Sequence, residues 1–288
     1  MKIAIFGLGL IGGSIGRATL KKTSHEVFGT DLVKENIIKA KLLNAINGEL
    51  TDEILSDCDL VILSAYPDAS IKIMQYILPK LKKGATVIDT CGTKRKIVSA
   101  MKVLKDKYPD VDFLGVHPMA GREFSGISHA TQGLFENAYV ILTPFYSDIR
   151  LLTKVRNFFV ELGAAGVEVA SAEKHDTMIS YTSQLAHVLS SCYIKNELSS
   201  SYTGFSAGSF RDMTRVAKLN PTMWTELCIE NRDNLSEQIQ DLIDNLEKFK
   251  SALDDNDEER LFRLFEEGTI KKARADELMK ERKKNERS

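Results

Sequence analysis

His117, inside Gly115-Val116-His117-Pro118-Met119-Ala120-Gly121-Arg122-Glu123, is the residue of this chain best suited to move a proton. Its unperturbed pKa lies near neutrality, so it can take or give a proton under ordinary conditions. It follows an apolar run, Phe113-Leu114-Gly115-Val116, that reads as a buried strand. In open α/β sheets, ligands gather in the crevice beyond the carboxyl ends of the strands. A histidine there could serve as the base for a hydroxyl undergoing oxidation. Taken alone, the segment reads as well as a histidine capping a turn before Pro118.

The N-terminus supplies what such an oxidation needs. Lys2-Ile3-Ala4-Ile5-Phe6 reads as a strand and leads directly into Gly7-Leu8-Gly9-Leu10-Ile11-Gly12, whose small residues continue into a helix. Gly7 permits the tight turn, Gly9 lets a pyrophosphate approach the backbone, and Gly12 lets the helix pack on the strand. Free N–H groups at the helix start, from Leu10 and Ile11 onward, then face the phosphates. A second strand, Glu26-Val27-Phe28-Gly29-Thr30, ends at Asp31. That spacing fits the carboxylate that binds a ribose 2′-hydroxyl. No arginine follows; Leu32-Val33 does, so NAD is expected in preference to NADP. Ser64, closing the apolar run Leu60-Val61-Ile62-Leu63, joins the candidate cofactor set at the same sheet edge.

The chain of 288 residues suits two domains, and 43% hydrophobic with 27% charged residues is ordinary globular composition. A formal net charge of −1 gives no reason to expect a nucleic acid or a membrane surface as partner. The N-terminal apolar run is too short for a signal peptide, and no stretch suits a membrane span. Cys58, Cys91, Cys192 and Cys228 are widely spaced and form no metal motif. Free thiols in the cytoplasm, and no metal, are the expectation.

Strand and helix patterns alternate through the first half. Leu60–Ser64, Ala85–Asp89, Tyr139–Thr143 and Val167–Val169 read as further strands, with helices between, including 147–162 and a basic helix start at Lys94-Arg95-Lys96. This alternation predicts an α/β fold: a Rossmann-type, doubly wound, mostly parallel sheet. After about residue 170 the patterns are helical only: 172–200, 205–218, 221–250 and 255–285. Two domains are therefore expected, 1–170 binding NAD and 171–288 all-helical, carrying substrate-binding and dimerisation surfaces. Met223, Leu227, Leu235, Ile239, Leu242 and Leu246 exceed what one face of a surface helix needs, which points to a homodimer.

The helical half adds polar groups. His187 sits among small and apolar residues, where a structural histidine is the plainer reading. Asp212 and Arg215 are three apart on one helical face and can pair, holding the arginine as a fork for a substrate carboxylate. A structural ion pair would read the same way. Trp224 is either core or a pocket wall.

With these segments in view, the chain resembles the prephenate dehydrogenase family from Gly7 to about residue 250. The motifs are His117-Pro118-Met119-Ala120-Gly121-x-Glu123, Ser183-x-x-x-His187, Arg211-Asp212-x-x-Arg215 and Pro221-x-x-Trp224. The resemblance implies a Rossmann domain joined to a helical dimerisation domain, with His117 accepting a hydrogen bond from the substrate's ring hydroxyl. It also implies that Glu123 gates or lines the pocket and that His187 and Arg215 hold the substrate and its carboxylates. One position departs: where many members carry a serine that bonds the catalytic histidine, this chain has Gly92 beside Thr93. Either Thr93 takes that role or another group orients His117. The implied reaction is oxidative decarboxylation of prephenate by NAD⁺, with arogenate as the rival substrate. Two other readings are a β-hydroxyacid dehydrogenase, for which Lys174 lies too early in the first helix, and a non-catalytic NAD-binding sensor.

Overall fold

The computed structural model describes residues 1–121 and 124–285. The first part of the chain lays down strands and helices in alternation: β1 (Lys2–Phe6), α1 (Leu10–Lys22), β2 (Glu26–Thr30), α2 (Lys34–Leu42), β3 (Gly48–Glu49), α3 (Asp52–Leu55) and β4 (Leu60–Leu63). There follow α4 (Pro67–Ile77), β5 (Thr86–Asp89), α5 (Arg95–Lys107), β6 (Asp112–Pro118), β7 (Tyr139–Thr143), α6 (Ile149–Glu161) and β8 (Gly166–Val169). They form an eight-stranded sheet in the order β3-β2-β1-β4-β5-β6-β7-β8. All pairings are parallel except β6 with β7. The doubly wound, mostly parallel sheet is thus as the alternation predicts. β3 is the strand that the pattern did not reveal, because two residues are too few to show one.

Period-two alternation decides which face each side chain covers. Ile3 and Ile5 of β1 join one core cluster, with Ile15 and Ala18 of α1 and Val155, Phe158 and Phe159 of α6. Ala4 and Phe6 join the opposite cluster, with Met74 and Ile77 of α4 and Ile97, Val98 and Met101 of α5. The sheet is therefore covered on both faces, which is why its central strands read as unbroken apolar runs.

After β8 every described element is helical: α7 (Ala172–Ile179), α8 (Leu185–Tyr193), α9 (Gly208–Thr214), α10 (Pro221–Glu230), α11 (Arg232–Asp254) and α12 (Glu258–Asn285). A π-helical turn, Ser180–Gln184, links α7 to α8. The expected helix 172–200 ends at Tyr193, and the expected 205–218 shortens to Gly208–Thr214 with a 3₁₀ turn, Arg215–Ala217. The expected helix 221–250 breaks at Asn231. That side chain is fully buried and donates to the Asp176 carbonyl at 2.8 Å and to Gln184 Oε1 at 2.7 Å. Those partners lie off the helix path, so the chain turns there.

Two compact units result, Met1–Leu235 and Ser236–Ser288. In the second, Phe249 and Phe265 meet edge to face with ring centroids 5.1 Å apart, and Ala252 is buried. No helix among the described residues is long and apolar enough to cross a membrane.

Candidate active site

The glycine-rich turn is shaped by what surrounds it. Gly7 has φ +92°, and a Cβ there would collide with the Ser64 carbonyl at the end of β4. A Cβ on Gly12 would strike the Gly7 carbonyl and lie 3.1 Å from Ile5 Cγ2, so α1 can approach β1 this closely only without a side chain. At Gly9 a Cβ would meet nothing within 4 Å: the space above this residue is open. Gly9 is the N-cap of α1 and offers no side-chain cap, and no acidic residue stands in the first turn. The amides of Leu10 and Ile11 have no intrahelical partner, as in the first turn of any helix. An open cradle lined by free N–H groups at a positive helix end fits a pyrophosphate.

Asp31 leaves β2 beside this turn. Its Oδ2 accepts the Leu8 N–H at 2.7 Å, and its Oδ1 accepts Val33 N–H at 2.9 Å and Asn36 Nδ2 at 3.1 Å. The carboxylate thus anchors the glycine-rich turn to the end of β2. A carboxylate has roughly four lone-pair sites, so these bonds leave room for a ribose hydroxyl. Ser64 Oγ accepts from Thr90 Oγ1 at 3.1 Å, tying the ends of β4 and β5 together at the same edge.

His117 is the penultimate residue of β6 and pairs with Ile141 of β7, at the edge toward which the parallel strands run. Its Nδ1 lies 2.8 Å from His175 Nε2, and His175 Nδ1 lies 2.7 Å from Asp176 Oδ1. Asp176 also caps α5, accepting Lys94 N–H at 2.7 Å on Oδ1 and Arg95 N–H at 2.9 Å on Oδ2. Beneath them Lys94 and Asp89, both fully buried, form an ion pair. Asp89 also accepts the Cys91 and Val116 N–H groups. Part of the His117 surface stays open, yet burial holds its pKa well below the ordinary value, helped by His175 and the Lys94 charge. Burial also lowers His175, against the pull of Asp176. For Asp176 burial acts upward, but His175 and the Arg95 and Lys94 amides outweigh it and the carboxyl lies low.

α8 and α10 pack beside the loop after β5. His187 stacks on Trp224, with ring centroids 3.9 Å apart, and its Nδ1 meets the Ser183 carbonyl at 2.9 Å. Burial, opposed by that carbonyl and aided by the Arg215 charge, lowers the His187 pKa, so Arg215 acts on the same locality. α10 spans the site: Trp224 meets His187, Leu227 packs 3.4 Å from where a Gly92 Cβ would stand, and Glu230 Oε2 accepts the Thr93 hydroxyl at 2.6 Å.

Of the two alternatives for orienting His117, these contacts favour the second. The Thr93 hydroxyl bonds Glu230, and the group that holds His117 is His175. The basic helix start is observed, with Lys94 as the N-cap of α5, and the Lys94 side chain has no exposed surface. Asp212 and Arg215, expected on one helix, fall in successive segments, α9 and the Arg215–Ala217 turn, and both are exposed. Glu123 lies outside the described residues. Residue patterns missed His175, Asp176 and Asp89. The signal available was the His175-Asp176 pair set one turn inside a helix capped by Ser171.

A doubly wound sheet with an open phosphate cradle and a proton acceptor at its carboxyl edge defines a nucleotide-dependent oxidoreductase. The family model for the prephenate dehydrogenase nucleotide-binding domain matches residues 15–168, and that for the prephenate dehydrogenase dimerization domain matches residues 171–267. A prephenate dehydrogenase of Bacillus subtilis is 31% identical over 275 residues, 91% of this chain and 73% of that one. A cyclohexadienyl dehydrogenase of Zymomonas mobilis is 33% identical over 277 residues, 92% of each chain. The structure of a prephenate dehydrogenase from Aquifex aeolicus, in complex with hydroxyphenyl propionate and NAD⁺, superimposes with TM-score 0.83 at 29% identity, over 96% of this chain and 98% of that one. The chain belongs to the prephenate dehydrogenase family.

Proposed function

We propose that this protein oxidatively decarboxylates prephenate to 4-hydroxyphenylpyruvate in tyrosine biosynthesis, with NAD⁺ as hydride acceptor. The observation that carries the reading is His117, at the carboxyl edge of β6, with its Nδ1 engaged and its pKa low. A low pKa keeps the imidazole neutral near pH 7, and only a neutral ring can accept the substrate's hydroxyl proton. Bound NAD⁺ supplies the hydride sink, held by the cradle Gly7–Gly12, with Ser64 beside it and Asp31 on the ribose. As the ring C–O bond becomes a carbonyl, the hydroxyl proton passes to His117, and loss of the ring carboxylate as CO₂ restores aromaticity. Arg215, with His187 and Trp224, binds the substrate's carboxylates and ring, and Asp212 supports them. Thr93 serves through its bond to Glu230, which fixes α10 against the loop after β5.

The protein works as a homodimer in the cytoplasm, on a small-molecule substrate. The dimerization-domain match supports the first part, as does Phe205, 92% exposed on the helical side. Leu198, Tyr202 and Tyr193 are exposed beside it, and a contiguous apolar patch marks a contact site. The free state of Cys58, Cys91, Cys192 and Cys228 suits a reducing compartment. Lys174, the lysine that a β-hydroxyacid dehydrogenase reading would need, points into solvent.

The test follows NADH formation with prephenate and, separately, arogenate. Prephenate turnover is expected to dominate; turnover of arogenate alone would transfer the reading to that substrate. His117→Asn keeps some hydrogen bonding but cannot take the proton, and should cost ~10²–10⁴-fold in kcat with NAD⁺ affinity unchanged. Because the His117 pKa is lowered, the acid limb of kcat/KM should fall below the pH of an ordinary histidine. A His117→Asn enzyme with near-normal kcat would refute the role given to this residue.

A further inference from the structure

We infer that His175 is a positioning residue that fixes the tautomer of His117, leaving the lone pair of His117 on Nε2, the atom that receives the substrate's proton. The inference rests on the reading of His117 as the base. It follows from accounting for donors along one chain of contacts.

Asp176 stands at the start of that chain. Its Oδ1 receives the Lys94 N–H and faces His175 Nδ1; its Oδ2 receives the Arg95 N–H at 2.9 Å and Arg95 Nε at 3.3 Å. The Lys94 and Arg95 amides and the Arg95 guanidinium can only donate, and a carboxylate that accepts from them is ionised and accepts only. The hydrogen between Asp176 and His175, 2.7 Å apart, therefore sits on His175 Nδ1. A neutral imidazole carries one N–H, so His175 Nε2 bears a lone pair and acts as acceptor. The contact to His117 Nδ1 at 2.8 Å then requires the hydrogen on His117 Nδ1. His117 is neutral as well, so its Nε2 is the basic atom. Both rings lie low in pKa through burial, which agrees with the single-proton accounting.

The arrangement also explains how the family serine can be dispensed with. Gly92 stands where that side chain would be, with Leu227 packed above it. The orienting hydrogen bond to His117 comes from α7 instead. Asp176 in turn is fixed by the N-terminus of α5, so the relay is tied to the rigid sheet through the buried Lys94–Asp89 pair below. When His117 takes the substrate's proton it becomes a cation whose Nδ1–H already points at an acceptor, so no regrouping is required at that moment.

The test reads the tautomer itself. In protein carrying ¹⁵N-labelled histidine, the five histidines are resolved by NMR and His117 is assigned by the signal missing from His117→Asn. The expected result is a protonated, pyrrole-like Nδ1 and an unprotonated, pyridine-like Nε2 at His117; the opposite pattern overturns the inference whatever the activity. In turnover assays His175→Leu should lower kcat by at least ~10-fold, the lower end of the losses when partners that orient metal-bound imidazoles are removed. KM for NAD⁺ should not change. His175→Gln, whose carboxamide oxygen can still accept from His117, should recover part of the loss. Equal losses in both variants, or a normal kcat in His175→Leu, would overturn it. Failure of His117 as the base shows separately, as activity retained in His117→Asn with the tautomer pattern intact in the wild type.

Discussion

Replacing Lys94 by Met should cost more folding stability than any exposed substitution near the site, and should also move the pH profile. Lys94 and Asp89 have no exposed surface, and the ammonium is the only cationic side chain ion-paired to that carboxylate among the described contacts. In Lys94→Met, Asp89 keeps the Cys91 and Val116 N–H groups at 2.9 and 3.2 Å but loses its counter-ion. Removing one partner of a buried pair costs about 3–5 kcal/mol, because the remaining charge is left uncompensated. For a unit of this size each kcal/mol lowers Tm by ~2–4 °C, so a fall of roughly 6–20 °C is expected by calorimetry. Asp89→Asn/Lys94→Met, which leaves no charge, should recover a large part of that fall. The same cation is one influence holding His117 low, after burial and His175. Its loss should let the His117 pKa rise, so the acid limb of kcat/KM moves to higher pH. A single variant that melts with the wild type would refute the reasoning about the pair; an acid limb that stays put or moves down would refute the coupling to His117.

Arg215→Ala should raise KM for prephenate at least tenfold and leave KM for NAD⁺ alone, since charge-assisted hydrogen bonds contribute ~1.5–3 kcal/mol each; steady-state kinetics with each substrate varied in turn checks this. Asp31→Asn should weaken NAD⁺ and narrow its advantage over NADP⁺, because the charge that repels a 2′-phosphate is gone while Leu8 keeps an acceptor. If the wild type already uses both cofactors equally, Asp31 acts only as the anchor of the glycine-rich turn.

The sheet was legible because its signals are local. Strands buried on both faces give unbroken apolar runs, and Gly7, Gly9 and Gly12 state the turn, the cradle and the close packing within six residues. The helical half was less legible for the opposite reason. The stop at Asn231 depends on partners 55 and 47 residues away, Asp176 and Gln184, and nothing in 221–250 announces them. Lys94 illustrates the same limit. Among Lys94-Arg95-Lys96 only the tertiary structure decides which cation goes inside, and Asp89, five residues earlier, is the acceptor that decides it. The choice between Thr93 and another group could not be read locally, because the Thr93 hydroxyl bonds Glu230, from a helix 137 residues further on.

The hardest feature to read was the turn between His175 and His187, and it sets the relative direction of the two rings on one helix. At ~100° per residue, twelve residues of regular α-helix would set these histidines about 120° apart. In the π-helical turn Ser180–Gln184 the Leu185 N–H reaches back to the Ser180 carbonyl, five residues away. A single π turn absorbs one residue without advancing the helix, so the pair behaves as if eleven apart, about 20° from alignment. His175 can then meet His117 while His187 meets Trp224, from one face of one continuous element. A regular helix would hold the rings about 120° apart, and the π turn supplies the rotation that brings them near one face. That phase shift follows from five polar residues, Ser180-Tyr181-Thr182-Ser183-Gln184, which read as ordinary helix in sequence. Three of them commit side chains to backbone groups: Ser180 to the Thr177 carbonyl, Thr182 to the Met178 carbonyl and Gln184 to the Leu227 carbonyl. Hydroxyl bonds of this kind compete with the regular helical ladder and bend or loosen it. The extra residue is accommodated there, between the ring that holds His117 and the ring that stacks on Trp224.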